Sequence, residues 1–343
     1  MKKKLAYVDY WSHKNTKSGD FLREILSEKF EITNFWWKEN DIIALDKLDE
    51  FEYIFFFHVM FPYQTMKRLK NKKIMWAPMY DALNFRNNFF KSIFWKQISY
   101  LGIKILAFSK KISESIENEN VKYLKLNYYI KPSNKKKETN FTNKINIFFW
   151  DRGRIKFEDW LKFFERDDIG EITYFPKFDP NIIDKNKINY RDKYSDLKIN
   201  LIQEKFLPKE KYLELSSDCN VFIAPRKKEG IGIALVEAIS RGQYIVGFND
   251  ATMNEYINDD KIGFLFDSKN QNKIKLQNII DNYKFRLENA NSRYMEWNEN
   301  KKKILDFFEE KNELVRKFHF IPLFLIDNLK YNLKKIFKIN FYY

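Results

Sequence analysis

The chain has 343 residues, 44% hydrophobic and 32% charged, which excludes a disordered, collagen-like or low-complexity protein and provides for two domains of ordinary size. Its single cysteine, Cys219, excludes an intramolecular disulfide framework and any multi-cysteine metal site, so a reducing cytoplasmic setting is expected. The formal net charge of +15 admits polyanionic partners, yet Lys, Asn, Ile, Phe and Tyr are enriched together, a compositional bias that accounts for part of it.

In chain order, Met1-Lys2-Lys3-Lys4 is followed by only four apolar residues before Asp9, which argues against a signal peptide. Short apolar runs then alternate with helical patterns, the signature of β-α units and a parallel sheet. Strands are predicted at 5–10, 32–37, 53–58, 73–77 and 104–108, with helices at 19–29, 63–70 and 84–100. The segment Lys131-Pro132-Ser133-Asn134-Lys135-Lys136-Lys137 breaks the pattern with charge, proline and small polar residues and reads as a linker. Beyond it, strands are predicted at 145–150, 171–175, 197–202, 221–224 and 244–248, with helices at 157–166, 209–216 and 232–241. From 286 the pattern is helical and charged to about 317, followed by a basic aromatic tail. The expected organisation is a Rossmann-like α/β domain over 1–130, a linker over 131–144, a second such domain over 145–285 and a C-terminal extension over 286–343. The most apolar runs, 53–61 and 318–326, fall well short of the roughly 20 residues that cross a bilayer, so the chain is expected to be soluble or peripheral.

Glycine is scarce, 9 in all where average usage of about 7% would give roughly 24, and Gly230, Gly232, Gly242, Gly247 and Gly263 crowd one short window. The segment 221–239 reads as a buried strand, a turn containing Pro225 and two glycines, then a helix. Gly230 and Gly232 let a ligand approach the backbone, and the first N–H groups of the helix form a natural phosphate site. Arg226, Lys227 and Lys228 precede it. Glu237 stands in an otherwise apolar helix, where an ionised carboxylate is costly unless something satisfies it. Two partners present themselves: Arg241 at i+4, or the diol of a bound ligand.

Seven residues separate Glu229 from Glu237, and the run from Pro225-Arg226 through Glu229-Gly230-Ile231-Gly232 and Leu235-Val236-Glu237-Ala238-Ile239 to Gly242 resembles the E-x7-E motif of retaining GT-B glycosyltransferases of the family 4 type. Tyr244-Ile245-Val246-Gly247, Asn254-Glu255-Tyr256-Ile257 and Gly263-Phe264-Leu265 resemble the elements that follow it in that family. The likeness is close over about 221–267 and architectural elsewhere. It implies a GT-B fold, two Rossmann-like α/β domains facing across a cleft with a C-terminal helical extension. It also implies that Glu229 lies near the donor sugar, that Glu237 binds the nucleotide ribose, and that the backbone of Gly230, Ile231, Gly232 and Ile233 holds the diphosphate, with Arg226 among the donor-binding groups. The loop Asp151-Arg152-Gly153-Arg154-Ile155-Lys156 resembles the family's basic loop that neutralises the departing diphosphate, so Arg152, Arg154 and Lys156 join Glu229 as catalytic candidates.

That chemistry is coherent. Breaking a sugar–nucleotide bond develops negative charge on the β-phosphate, which fixed cations and helix-terminal N–H groups stabilise. The sequence has no Asp-x-Asp pair, and no metal or other cofactor is expected. In the N-terminal half, His13, His58, Asp81 and Gly19 follow predicted strands and are candidates to contact acceptor or sugar, although the loop 11–20 has one glycine where the family is often glycine-rich. Residues 82–113 carry Arg86, Lys91, Lys96, Lys104, Lys110 and Lys111 but no acidic residue, interleaved with Phe85, Phe89, Phe90, Ile93, Phe94 and Trp95. Such a segment either lies on an anionic membrane or packs its aromatic face into a core. The function expected is transfer of a sugar from a nucleotide donor to a lipid-linked or polysaccharide acceptor, with retention, at the cytoplasmic side of a membrane. The rivals are a basic nucleic-acid-binding protein, for which no RRM, zinc-finger or helix-turn-helix signature is present, and a sugar-nucleotide epimerase or phosphorylase on the same fold.

Overall fold

The structure, a computed structural model, describes residues 2–38, 45–83, 85, 87–132, 143–179, 190–204, 207–267, 269 and 272–310. The greater part of the expected linker, Arg86 and the basic aromatic tail lie outside the described residues. The described residues divide into two compact units, one formed by those within 2–126 together with 300–310, the other by those within Asn127–Glu299.

In the first unit, β1 (Lys3–Tyr10), β2 (Phe30–Trp37), β3 (Tyr53–Phe57), β4 (Lys73–Ala77), β5 (Lys104–Ala107) and β6 (Tyr123–Lys125) form one sheet in the order β2-β1-β3-β4-β5-β6, every pair parallel. In the second, β7 (Ile145–Asp151), β8 (Ile169–Pro176), β9 (Ile199–Leu201), β10 (Val221–Ile223), β11 (Tyr244–Phe248) and β12 (Gly263–Phe266) do the same in the order β12-β11-β10-β7-β8-β9. Parallel strands are covered on both faces, and the sequence supplies what that requires: all five residues of β3 and all three of β10 are buried. Gly263 permits a close strand approach, since a Cβ there would stand 2.3 Å from the carbonyl oxygen of Ile245 on β11.

Three of the departures from the sequence expectation have a plain physical reason. β6 is a three-residue, largely exposed edge strand, too short to show an apolar run. The helix expected over 157–166 ends at Leu161, because Phe163 turns to pack against Phe264 and Phe266 and gives its carbonyl to the Ile274 N–H at 2.7 Å. The helix expected over 84–100 spans Asn88–Tyr100, started by the Asn87 side chain, which accepts from the Phe90 N–H at 3.1 Å. Its aromatic face is mostly core: Trp95 is buried, and Phe85 and Phe94 pack on it and on each other. Phe89 stays 62% exposed.

The helix Lys303–Glu309 belongs to the first unit. Phe308 packs its ring against Phe30 and Tyr53, and the buried Lys104 ammonium donates to the carbonyls of Phe307 and Glu310, both at 2.5 Å. Burial pulls Lys104 down to about 8. Those carbonyls end a helix, where unsatisfied oxygens carry partial negative charge, so a cation is the natural cap.

Each sheet has one place where successive connections leave in opposite directions: between β1 and β3 in the first unit, between β7 and β10 in the second. There the loops at the carboxyl ends of the two strands diverge and leave a crevice, the usual ligand position in open parallel sheets.

Candidate functional site

The second unit's crevice is bordered by the loops that follow β7 and β10, which are the basic loop and the glycine window. β8 extends the neighbouring edge: beyond Pro176, the Lys177 N–H donates to the Asp151 carbonyl at 2.9 Å and the Asp179 N–H to the Arg152 carbonyl at 3.1 Å. The backbone therefore carries Asp179 alongside the loop after β7. Asp151 is buried and organises that loop, accepting from the Gly153 N–H at 2.7 Å and the Tyr174 hydroxyl at 2.9 Å.

Three guanidiniums converge on Asp179. Arg152 Nε donates to Oδ1 at 2.7 Å, Arg226 Nη2 to the same oxygen at 2.8 Å and Arg154 Nε to Oδ2 at 3.1 Å. Arg152 also lies over the Trp150 ring, 4.7 Å from its centroid. Burial acts against ionisation of Asp179, but the hydrogen bond and charge of Arg226, then the charge of Arg152, outweigh it and hold the carboxyl below its ordinary value. Burial, and then the like charge of Arg226, push the Arg152 guanidinium below its usual range. Arg226 Nη1 stands 3.5 Å from Glu229 Oε2, so the cluster sets three positive charges against two negative ones.

The glycine window is held by the loop after β11. Thr252, fully buried, donates its hydroxyl to the carbonyls of Glu229 at 2.9 Å and Gly230 at 2.7 Å, and the Glu229 N–H donates to the Ala251 carbonyl at 2.8 Å. Gly232 then adopts φ of 69° as the first boundary residue of the helix Ile233–Ser240. That left-handed geometry turns the chain into the helix at a position where a side chain would be strained. No side chain caps this helix start, and Gly232, Ile233 and Ala234 are partly accessible. The arrangement of N–H groups and arginines suits an anion.

Glu237, one turn further on, is 8% exposed and pairs with Lys209 Nζ at 3.4 Å. The alternative of an i+4 pair is overturned: Arg241 directs Nε and Nη2 to Gln243 Oε1 at 3.1 and 2.9 Å. Lys156, exposed at the start of the helix Phe157–Leu161, is not among the groups on Asp179. Sequence reasoning missed Asp179, Lys209 and Thr252. Of these, only Asp179 left a trace, as a lone carboxylate just past the end of a predicted strand.

In the first unit, Asp9 is fully buried at the end of β1 and takes the Nδ1 of His13 at 2.6 Å on one oxygen and Arg23 Nη2 at 2.5 Å on the other. The His13 ring stacks on His58, with centroids 5.5 Å apart, and His58 adopts φ of 65° after β3. Gly19 closes the cluster: a Cβ there would meet the Tyr7 hydroxyl at 2.8 Å and Asp9 Oδ2 at 3.2 Å. Asp81 lies apart from these groups in the sequence of elements, on the half-buried turn Tyr80–Ala82 after β4. Among the described residues no cluster of His, Cys, Asp and Glu has the form of a metal site, and no helix is long and apolar enough to cross a membrane.

Residues 184–303 match the family model described as Glycosyl transferases group 1. No curated protein sequence matches the chain. A glycosyltransferase from Rickettsia africae ESF-5 is similar in structure, with a TM-score of 0.62 at 14% identity over 91% of this chain and 100% of that one. Sucrose-phosphate synthase from Thermosynechococcus elongatus gives 0.60 at 11% identity over 90% and 98%. Anabaena HepE, solved in complex with UDP, gives 0.51 at 11% over 88% and 99%. The fold is GT-B: two α/β units with parallel six-stranded sheets.

Proposed function

We propose that the protein is a retaining glycosyltransferase that moves a sugar from a nucleotide donor to a glycan or lipid-linked acceptor without a metal ion. The observation that carries this reading is the meeting of a basic cluster with an uncapped helix start at the second unit's crevice, one turn from a buried carboxylate. In this reading the Gly230 to Ile233 backbone and Arg152, Arg154 and Arg226 receive the donor diphosphate. Lys156 adds charge from the loop's far end. Glu237 accepts hydrogen bonds from the ribose diol, exchanging its long contact with the exposed Lys209 for shorter ones.

As the bond between the anomeric carbon and the β-phosphate oxygen lengthens, negative charge grows on the phosphate, and the acceptor hydroxyl oxygen forms the new bond to the anomeric carbon on the face from which the phosphate departs. Preorganised cations and amides stabilise that charge more in the transition state than in the ground state, which is what accelerates the step. The departing phosphate oxygen then takes the acceptor hydroxyl proton on the same face, which gives retention, with Glu229 beside the sugar. UDP in Anabaena HepE is consistent with a nucleoside diphosphate as the donor's leaving group. His13, His58, Asp81 and Gly19 are proposed to contact acceptor or sugar. Exposed Phe89, within a stretch from 82 to 113 without acidic residues, is proposed to approach an anionic membrane surface on the cytoplasmic side.

Replacing Glu237 by Ala tests the reading. Equilibrium titration with UDP and GDP is expected to show binding by the wild-type chain and a loss of at least about tenfold in the variant, with the melting temperature nearly unchanged. Normal affinity in the variant would sink the ribose role. The anomeric configuration of the product, read by NMR, tests retention.

A further inference from the structure

A site proposed to bind an anion holds a buried carboxylate at its centre. By charge alone Asp179 opposes a diphosphate, so its presence calls for an account. We propose that Asp179 is a positioning residue that fixes the guanidinium planes of Arg152, Arg154 and Arg226, and that this ordering favours diphosphate binding by more than the negative charge opposes it. The inference rests on the donor reading above.

Three like charges so close together repel, and an arginine side chain loses rotamer freedom when it is held. Without a shared counter-charge, that repulsion and that ordering would both be met at the moment of binding. Asp179 meets them beforehand. Oδ1 takes Arg152 and Arg226, Oδ2 takes Arg154, and the Asp179 backbone is itself tied to the Arg152 carbonyl. Each guanidinium has five donors, of which Arg152 gives the carboxylate Nε and Nη2 and Arg154 gives Nε. Trp150 under Arg152 fixes the plane of that guanidinium from a second direction. The residues come from three separate loops, so no local motif holds them in register; the carboxylate does.

The decisive experiment compares Asp179→Asn with the wild-type chain for binding of UDP and GDP, using uridine and guanosine as probes without phosphate. Asn keeps the shape and removes the charge. A positioning role predicts that affinity for the preferred nucleoside diphosphate falls about tenfold or more, while nucleoside affinity stays within about twofold. Unchanged or tighter diphosphate binding overturns the proposal, because the carboxylate would then be acting only as a repelling charge. Equal loss for nucleoside and nucleoside diphosphate also overturns it, as the mark of a purely structural residue. If the wild-type chain binds neither diphosphate, the donor reading falls and this proposal falls with it. Should the Asn variant fail to fold, Asp179→Glu keeps the charge and displaces the guanidiniums by one methylene; weaker diphosphate binding with unchanged nucleoside binding supports the proposal, and unchanged diphosphate binding overturns it.

Discussion

Between β1 and β3, the carboxylate of Asp9 takes one arginine and one histidine, and Arg23 is shared with Asp20 while lying over the rings of Tyr7 and Trp36. Between β7 and β10, Asp179 takes three arginines, and an uncapped helix start adds positive potential nearby. The two crevices occupy equivalent places in their sheets, yet the first sets two carboxylates, Asp9 and Asp20, on one arginine, whereas the second sets three arginines on one carboxylate, a surplus of positive charge. The first cluster has its carboxylate buried at the strand end and ties a loop to the sheet. A surplus is completed by a ligand of opposite sign, which is why the proposed donor diphosphate is assigned to the second unit.

Breaking the first crevice's cluster should have the largest effect. Asp9→Ala removes the fully buried carboxylate on which Arg23 and His13 meet, leaving half-buried Arg23 with Asp20 alone, and is expected to cost about 2 kcal/mol, measured by urea unfolding. On the surplus side, Arg154→Gln removes a half-exposed cation and should change stability by less than about 0.5 kcal/mol. Its affinity for UDP or GDP should nevertheless fall about fivefold; equal stability losses in the two variants would erase the contrast. The smallest effect sharpens the comparison from outside both crevices. Cys219 is buried just before β10, and burial pushes its thiol up to about 12, so in the folded chain it stays protonated and unreactive toward a thiol reagent at pH 8. It should remain protected in Asp9→Ala if the damage is confined to the first unit, and react once denaturant opens the second.

Most strands were legible because buried parallel strands are continuous apolar runs, as in Tyr53-Ile54-Phe55-Phe56-Phe57. The glycine window was legible for a related reason: one carboxylate in an apolar helix beside rare glycines is a local contradiction that a short segment displays whole. The arginine cluster was only half legible. Arg152 and Arg226 stood out as basic loop residues, but Asp179 is 27 residues from one and 47 from the other and follows an ordinary strand. Its meaning arises from strand order, which places β8 and β10 on either side of β7. The partner of Glu237 escaped for the same reason, since Lys209 comes from another helix while Arg241 looked nearer along the chain. In the aromatic helix, periodicity could not separate core from surface, because Trp95 and Phe89 are alike in hydrophobicity and opposite in burial.

Phe308 and the helix-ending carbonyls that meet Lys104 come roughly two hundred residues after the sheet they complete. During synthesis, β1 to β6 all leave the ribosome before that helix exists, with Phe30 and Tyr53 unshielded and the Lys104 ammonium lacking its carbonyl acceptors. The second unit, by contrast, is a single uninterrupted stretch of chain and is fully synthesised first. Order of translation and order of completion are therefore reversed: the half of the protein made first is the half finished last.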